Sequence, residues 1–230
     1  MAQPYQIPMS RLSPKGSSSQ HITLPPPAAF QSQALISSQQ QYQKLYQESV
    51  RDPEGFWKKE AEAFVWNKKF SKVLNYSFGK NAQVHWFADG QTNLSVNCLD
   101  RHLPALKDKT AIVYVPNEGE SVKITYAKLH REVCYCANML RKLGLKKGDC
   151  VVIFMSMIPE AAVVMLACAR LGLVHVVINP LSPAKSLTER ILDCGASVII
   201  TGNQSVRGEQ VVSLKDVADE AMDACSKKGH

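Results

Sequence analysis

The first forty residues contain no aspartate or glutamate and only two basic residues, Arg11 and Lys15. Large apolar residues are sparse there, and "SPKGSSS", "PPPAA" and "SSQQQ" punctuate the stretch. Such a composition cannot offset the entropy of ordering a chain, so residues 1–40 are expected to form a disordered tail. The absence of acids and the frequent serine also fit a mitochondrial transit peptide, but one lone arginine is poor for that class. The expected location is therefore cytoplasmic, with mitochondrial import as the alternative. Long apolar runs are missing too. A spanning helix needs about 20 consecutive apolar residues. The most apolar stretch, "AAVVMLACA" at 161–169, has nine, bounded by Glu160 and Arg170. No membrane span is expected.

Several site signatures are also absent. The twelve glycines form no G-x-G-x-x-G and no G-x-x-x-x-G-K-[ST], which removes the usual dinucleotide and phosphate loops. No G-x-S-x-G is present, so a serine nucleophile elbow is excluded. The six histidines stand at 21, 85, 102, 130, 175 and 230 without metal-ligand spacing. His175 reads as a core residue within a strand. The seven cysteines are an odd number and scattered, and on a helix Cys134 and Cys136 point about 200° apart, so no shared metal is expected. A formal charge of +7 is interleaved with acids, as in "RDPEGFWKKEAE". That describes a solvated mixed surface, with no nucleic-acid stripe.

What is there is a repeating alternation. "TAIVYV" at 110–115 reads as a strand, followed by a turn at Gly119. Thr125 is placed to cap a helix with Leu129, Val133, Ala137, Leu140 and Leu143 on one face, and Gly144 ends it. "CVVIFM" at 150–155 is a strand. Pro159 and Glu160 suit the first turn of the next helix, which Gly172 stops. "LVHVVI" at 173–178 is a strand closed by Asn179-Pro180. A helix carrying Leu187, Ile191 and Leu192 ends at Gly195, "SVIIT" at 197–201 is a strand, and "VVSL" at 211–214 another, before a helix over 216–226. The expected fold class is α/β, a mostly parallel sheet flanked by helices. Residues 42–65 read as helices with Leu45, Tyr46, Phe56, Trp57 and Phe64, a helical N-terminal attachment. The divisions are thus a tail at 1–40, an attachment at 41–104 and an α/β subdomain at 105–230. "LDRHL" holds Asp100, Arg101 and His102, dense in polar chemistry, but it reads equally as a helix with a local ion pair.

Over 42–228 the sequence resembles the N-terminal part of AMP-forming acetyl-CoA synthetases, within the adenylate-forming ligases. The resemblance is carried by "YQKLYQESVRDPEGFWKKEA", "NLSVNCLDRHL", "ITYAKLHREVCYCANMLRKLGLKKGD", "MIPEAAVVMLACARLG" and "VRGEQVVSLKDVADEAMDAC". The second and fourth are the most specific, because neither composition nor periodicity requires those residues in that order. It implies part of the large N-terminal domain of an adenylate-forming ligase. It also implies the family's reaction: acetate, ATP with Mg2+ and coenzyme A give acetyl-CoA, AMP and pyrophosphate through an acetyl-adenylate. The nucleotide loop, the adenine and acetate pockets and the catalytic Lys of the family are expected beyond residue 230. The 230-residue chain is therefore expected to be inactive alone and to contain no catalytic residue.

One family element falls within the chain. An Arg followed by Gly-Gly-Lys or a variant contacts the nucleotide end of coenzyme A. Here it reads Arg207-Gly208-Glu209-Gln210, with Gln210 replacing the usual basic residue, and the alternative is a plain surface turn between two strands. Two departures stand out: Asn179-Pro180 replaces a Phe-and-glycine turn bordering the same coenzyme, and Ser156 stands where a Pro is usual. Rival readings are a ligase for propionate or another short acid, and a non-catalytic scaffold paralogue. A dinucleotide-dependent oxidoreductase is disfavoured by the missing glycine fingerprint.

Overall fold

A computed structural model describes residues 24–208 and 210–230. Most of the expected tail, residues 1–23, lies outside the described residues. The chain divides into two compact units, Met1–Phe56 and Trp57–His230. In the first, Ala28–Gln33 (α1) is a short helix with no buried residue. Gln39–Arg51 (α2) starts at Ser38, whose side chain accepts from the Gln41 amide. Pro53–Ala61 (α3) spans the boundary between the units, and Asp52 Oδ1 accepts from the Gly55 amide at 3.0 Å at its start.

The second unit begins with small antiparallel pairs. Trp66–Lys68 (β1) pairs with Gln91–Thr92 (β4), and Lys72–Ser77 (β2) pairs with Gln83–Ala88 (β3). Trp66, Phe70 and Phe87 pack edge-on or tilted around one centre, with ring centroids 5.0–5.5 Å apart. Phe87 and Asp89 both take positive φ, 52° and 56°. Asp89 is held in this turn by the Ser71 amide and hydroxyl and by Lys68. Led by the Ser71 hydroxyl, these bonds pull its carboxyl down to about 2. Leu94–Cys98 (α4), a 3-10 turn at Asp100–His102 and Leu103–Leu106 (α5) follow.

Thr110–Tyr114 (β5) forms as expected, but its partner is Val122–Thr125 (β6), an antiparallel neighbour across a short turn. The alternation of strands and helices suggested a place for β5 in the parallel sheet. The short run "VKIT" instead closes a local hairpin, with Gly119 at φ +92° in the turn. Tyr126–Lys142 (α6) is capped by Thr125, whose Oγ1 accepts from the Lys128 amide at 3.2 Å. Leu129, Val133, Ala137 and Leu140 are buried as the spacing requires. Leu143 is not; it caps the helix and is 60% exposed, because the apolar stripe has rotated past the core by the last turn.

The core is a three-stranded parallel sheet in the order β8–β7–β9. Cys150–Phe154 is β7, Val174–Val177 is β8 and Val198–Thr201 is β9. Pro159–Leu171 (α7) joins β7 to β8, and Ala184–Cys194 (α8) carries the chain from β8 across β7 to β9. All five residues of β7 are buried, which is why its sequence has no polar alternation. Val151 and Ile153, with Met155 beyond the strand, pack among α6 and α7 residues such as Val133, Leu140, Val164 and Cys168. Cys150, Val152 and Phe154 pack on the other side with Leu187 and Ile191 of α8 and with Leu214, Ala218 and Ala221. These last belong to Leu214–Ser226 (α9). Helices therefore cover both faces, as right-handed crossovers running one way from β7 to β8 and back the other way from β8 to β9 demand. Gly172 and Gly195 end α7 and α8 in the left-handed conformation, φ +71° and +61°. No helix among the described residues is long and apolar enough to cross a membrane.

Candidate functional site

In a sheet wound in both directions, ligands favour the crevice outside the carboxyl ends of the strands, where the strand order reverses. Here the reversal lies between β7 and β9. The loops on that edge are Met155-Ser156-Met157 after β7, the Asn179-Pro180 turn after β8, and Gly202-Asn203 after β9. Met155 is buried and Met157 is 93% exposed, so the chain leaves the core within two residues. Between them, Ser156 Oγ is buried with no hydrogen-bond partner. The Ser156 carbonyl accepts from the Ile158 amide at 2.8 Å, a tight turn that delivers Pro159 to the first position of α7.

The Asn179-Pro180 turn is rigid for local reasons. Asn179 Oδ1 accepts from the Leu181 amide at 2.9 Å, and its carbonyl accepts from the Ser182 amide at 2.9 Å. This is an Asx turn laid over a β-turn, with Pro180 fixing the backbone between them.

Beyond Gly202-Asn203 the chain forms a hairpin, with an additional strand leading into the turn. Gln204–Arg207 (β10) pairs antiparallel with Gln210–Ser213 (β11), and Arg207 faces Gln210 across the last rung. The two positions between them are Gly208 and Glu209. Gly208 has φ +58°, and a Cβ built there would meet nothing within 4 Å. A two-residue hairpin loop needs positive φ at its first position, which glycine adopts without strain. Glu209 lies outside the described residues, and of Arg207 and Gln210 only the backbone is described. At the base, the Asn203 carbonyl accepts from the Lys215 amide at 3.2 Å, and Ser213 caps α9 by accepting from the Asp216 amide. Arg207, Gly208 and Gln210 thus gather at one hairpin end. Asn179-Pro180 rises from the same sheet edge but from β8, on the other side of β7, about 10 Å away at the level of the strands.

A partly buried polar cluster of the unit was not legible in the sequence. Arg170, at the end of α7, grips Asp100 by two hydrogen bonds of 2.8 and 2.7 Å. His130 of α6 lies 3.3 Å from Asp100 and 3.4 Å from Arg170, and Ser95 Oγ is 3.4 Å from Arg170. The hydrogen-bonded guanidinium holds the Asp100 carboxyl below its usual range, and the carboxylate in turn raises Arg170. The local ion pair expected within "LDRHL" is not what Asp100 makes: its ion pairs reach His130 and Arg170. Arg101 turns away to the Ala63 carbonyl and Asn97, with its guanidinium 5.8 Å over the Phe64 ring. Asn93 completes the junction: Oδ1 caps α4 at the Val96 amide, while Nδ2 donates to the Ala169 and Arg170 carbonyls at 3.0 and 3.1 Å. The cluster's polar atoms bond one another across three helices, which is the chemistry of a clamp.

Comparison with known proteins matches two adjoining segments of the chain. Residues 42–98 match the family described as the acetyl-coenzyme A synthetase N-terminus, and residues 99–229 match that described as AMP-binding enzyme. The acetyl-coenzyme A synthetase of Desulfatibacillum aliphaticivorans is 46% identical over 183 residues, covering 79% of this chain and 28% of that protein. That of Agrobacterium fabrum is 48% identical over 194 residues, covering 82% of this chain and 29% of that protein. The chain therefore spans less than a third of the length of these curated relatives. Among solved structures, an acetoacetyl-CoA synthetase from Streptomyces lividans superposes with a TM-score of 0.77 at 27% identity, over 87% of this chain and 33% of that one.

Proposed function

The chain belongs to the AMP-binding enzymes, with the N-terminal segment of the acetyl-coenzyme A synthetases ahead of that domain, and on that premise we propose that it is the N-terminal portion of an acetate–CoA ligase. The observation that carries this is the two adjoining matches, in that order, together with 46–48% identity to acetyl-coenzyme A synthetases. In the proposed reaction the acetate carboxylate attacks the α-phosphorus of ATP and pyrophosphate leaves. The coenzyme A thiol then attacks the acetyl-adenylate carbonyl and AMP leaves. Magnesium supplies charge neutralisation of the phosphates when bound. No residue of this chain is assigned to ATP, magnesium or catalysis.

What this chain contributes is the coenzyme's nucleotide end. Arg207 brings a planar guanidinium suited to a phosphate or an adenine face. Gly208 leaves open space at the hairpin tip for close backbone approach. Glu209 and Gln210 complete the tip, and Gln210 carries no charge to pair with a second phosphate. The rigid Asn179-Pro180 turn borders the site from β8. We place a tail at 1–40, an attachment at 41–104 and the α/β subdomain at 105–230; the change of family match after residue 98 supports the second division. The expected partners are small molecules, acetate, ATP and coenzyme A, in the cytoplasm.

The test is acetate-dependent exchange of labelled pyrophosphate into ATP by a longer polypeptide carrying this segment, run beside acids of two to six carbons. Exchange greatest with acetate supports the reading. No exchange, or clear preference for a longer acid, overturns it. The 230-residue chain alone should release no pyrophosphate, and turnover by it would refute its assignment as an incomplete enzyme.

A further inference from the structure

Two of the cysteines belong to one core cluster on the α8/α9 side of the sheet. Cys150 opens β7 and is 9% exposed, and Cys194, the last residue of α8, packs against the same cluster and is only half-buried. The topology brings them together. Gly195 turns the chain out of α8, and three residues after Cys194 it has reached the level of Cys150 on the neighbouring strand, since Val198 pairs with Val151. Cys150 and Cys194 share one cluster there, and the Cys194 thiol meets the Ile191 carbonyl at 3.6 Å. The other core thiols are elsewhere. Cys168 and Cys136 pack on the opposite face with α6 and α7, behind the backbone of β7. Cys225 lies on the same face but directs its sulfur at the Thr188 carbonyl, 3.9 Å away.

We propose that Cys150 and Cys194 form a reversible disulfide when the protein meets a hydroperoxide, with Cys194, the less buried of the two, as the sulfur first oxidised. The Cys194 sulfur attacks the peroxide O–O bond, becoming a sulfenic acid as the peroxide is reduced to water or an alcohol. The Cys150 sulfur then attacks the Cys194 sulfur. The S–S bond forms, the S–O bond breaks, and the leaving hydroxide takes the Cys150 proton as a second water. Burial, with the Cys194 thiol alongside, pushes the Cys150 thiol up to about 11, so the second step is slow at neutral pH and speeds as pH rises. The link would close the loop that holds α7, β8, the Asn179-Pro180 turn and α8, tying both ends of it to the sheet.

The experiment uses the 230-residue chain. It is treated with hydrogen peroxide, quenched with N-ethylmaleimide and digested with trypsin without reduction. The expected product joins the peptides 148–170 and 191–207. Fragmentation of the joined species locates the bond at Cys150, because Cys168 shares the first peptide. Dithiothreitol should release it, and the oxidised chain should melt several degrees higher than the reduced one. Cys194→Ser and Cys150→Ala should each abolish the cross-link and the shift. A bond to Cys168, Cys225 or any other cysteine, or Cys194 advancing to the sulfinic acid with Cys150 still alkylated, overturns the proposal. If either variant is too unstable to purify, the mapped bond in the wild-type chain decides alone.

Discussion

Arg170 holds Asp100 through two parallel hydrogen bonds, Nη1 to Oδ2 at 2.8 Å and Nη2 to Oδ1 at 2.7 Å, between groups 70 positions apart in the chain. The pair fastens the 3-10 turn after α4 to the end of α7. Both side chains are more than two-thirds buried, 23% and 29% exposed. Removing one partner leaves a poorly solvated charge, so Asp100→Asn or Arg170→Ala should each cost about 2 kcal/mol of stability. Removing both should cost less than the sum, and a double-mutant cycle in urea measures the difference. Strict additivity would mean that the two groups do not interact.

The same pair gives a pH dependence of known sign. The folded-state value of Asp100 is lowered, chiefly by the Arg170 hydrogen bonds, below the unfolded value of about 3.9. Its contribution is therefore complete above that unfolded value, and it disappears as pH falls through the lower folded one. Unfolding free energies measured between pH 5 and pH 2 should fall less steeply for Asp100→Asn than for the wild type. Equal slopes would assign the acid sensitivity to other carboxylates, such as Asp89.

Asn93 serves two helices at once, and its two substitutions should separate the roles. Asn93→Ala loses the α4 cap and both bonds to the end of α7, which should lower stability by roughly 2 kcal/mol. Asn93→Asp keeps the cap acceptor but points a carboxylate at two carbonyls at a helix C-terminus, where negative charge is unfavourable. It should recover little at pH 7 and more at pH 4, when the carboxyl is protonated and can donate. Thermal melts at the two pH values check this.

The middle of the fold was legible because its signals are local. Pro159, Glu160 and Gly172 bracket α7, Gly195 stops α8, and the β-branched runs of β7, β8 and β9 declare strands, although Val174 and Val177 of β8 are exposed. The Asp100–Arg170 clamp was not legible, since Arg101 is the adjacent cation in sequence and only tertiary packing selects Arg170. The partner of β5 was missed because "VKIT" is four residues long and begins with two exposed ones. At the candidate site the sequence marked Arg207 to Gln210, but not the strand β10 that leads into them. "QSVR" has no alternation strong enough to declare a strand, and its pairing with β11 supplies what the pattern lacks.

At the hairpin tip, conformation and chemistry can be tested apart. Gly208→Ala meets no steric obstacle, so its cost is that of the left-handed backbone, about 1 kcal/mol. Gly208→Asn should be milder, because asparagine tolerates that region. In a longer, active polypeptide, Arg207→Ala should raise the KM for coenzyme A about tenfold and leave acetate-dependent pyrophosphate exchange unchanged. Loss of exchange would place Arg207 in the adenylation step and sink its assignment to the coenzyme.

Ser156 carries the last prediction. Its hydroxyl is buried at the carboxyl edge of β7 without a partner, and a buried unpaired hydroxyl costs on the order of 1–3 kcal/mol. Ser156→Ala removes that cost and opens only a small void, so the urea midpoint of the 230-residue chain should rise, by about 1 kcal/mol in free energy. Ser156→Thr keeps the hydroxyl and adds a methyl in a crowded turn, and it should destabilise. The two substitutions therefore move stability in opposite directions although both change the side chain by a single heavy atom. A fall in stability for Ser156→Ala would mean that the hydroxyl has a partner in solution, and the strand-order reversal between β7 and β9 would then hold a polar contact in place of an unpaired hydroxyl.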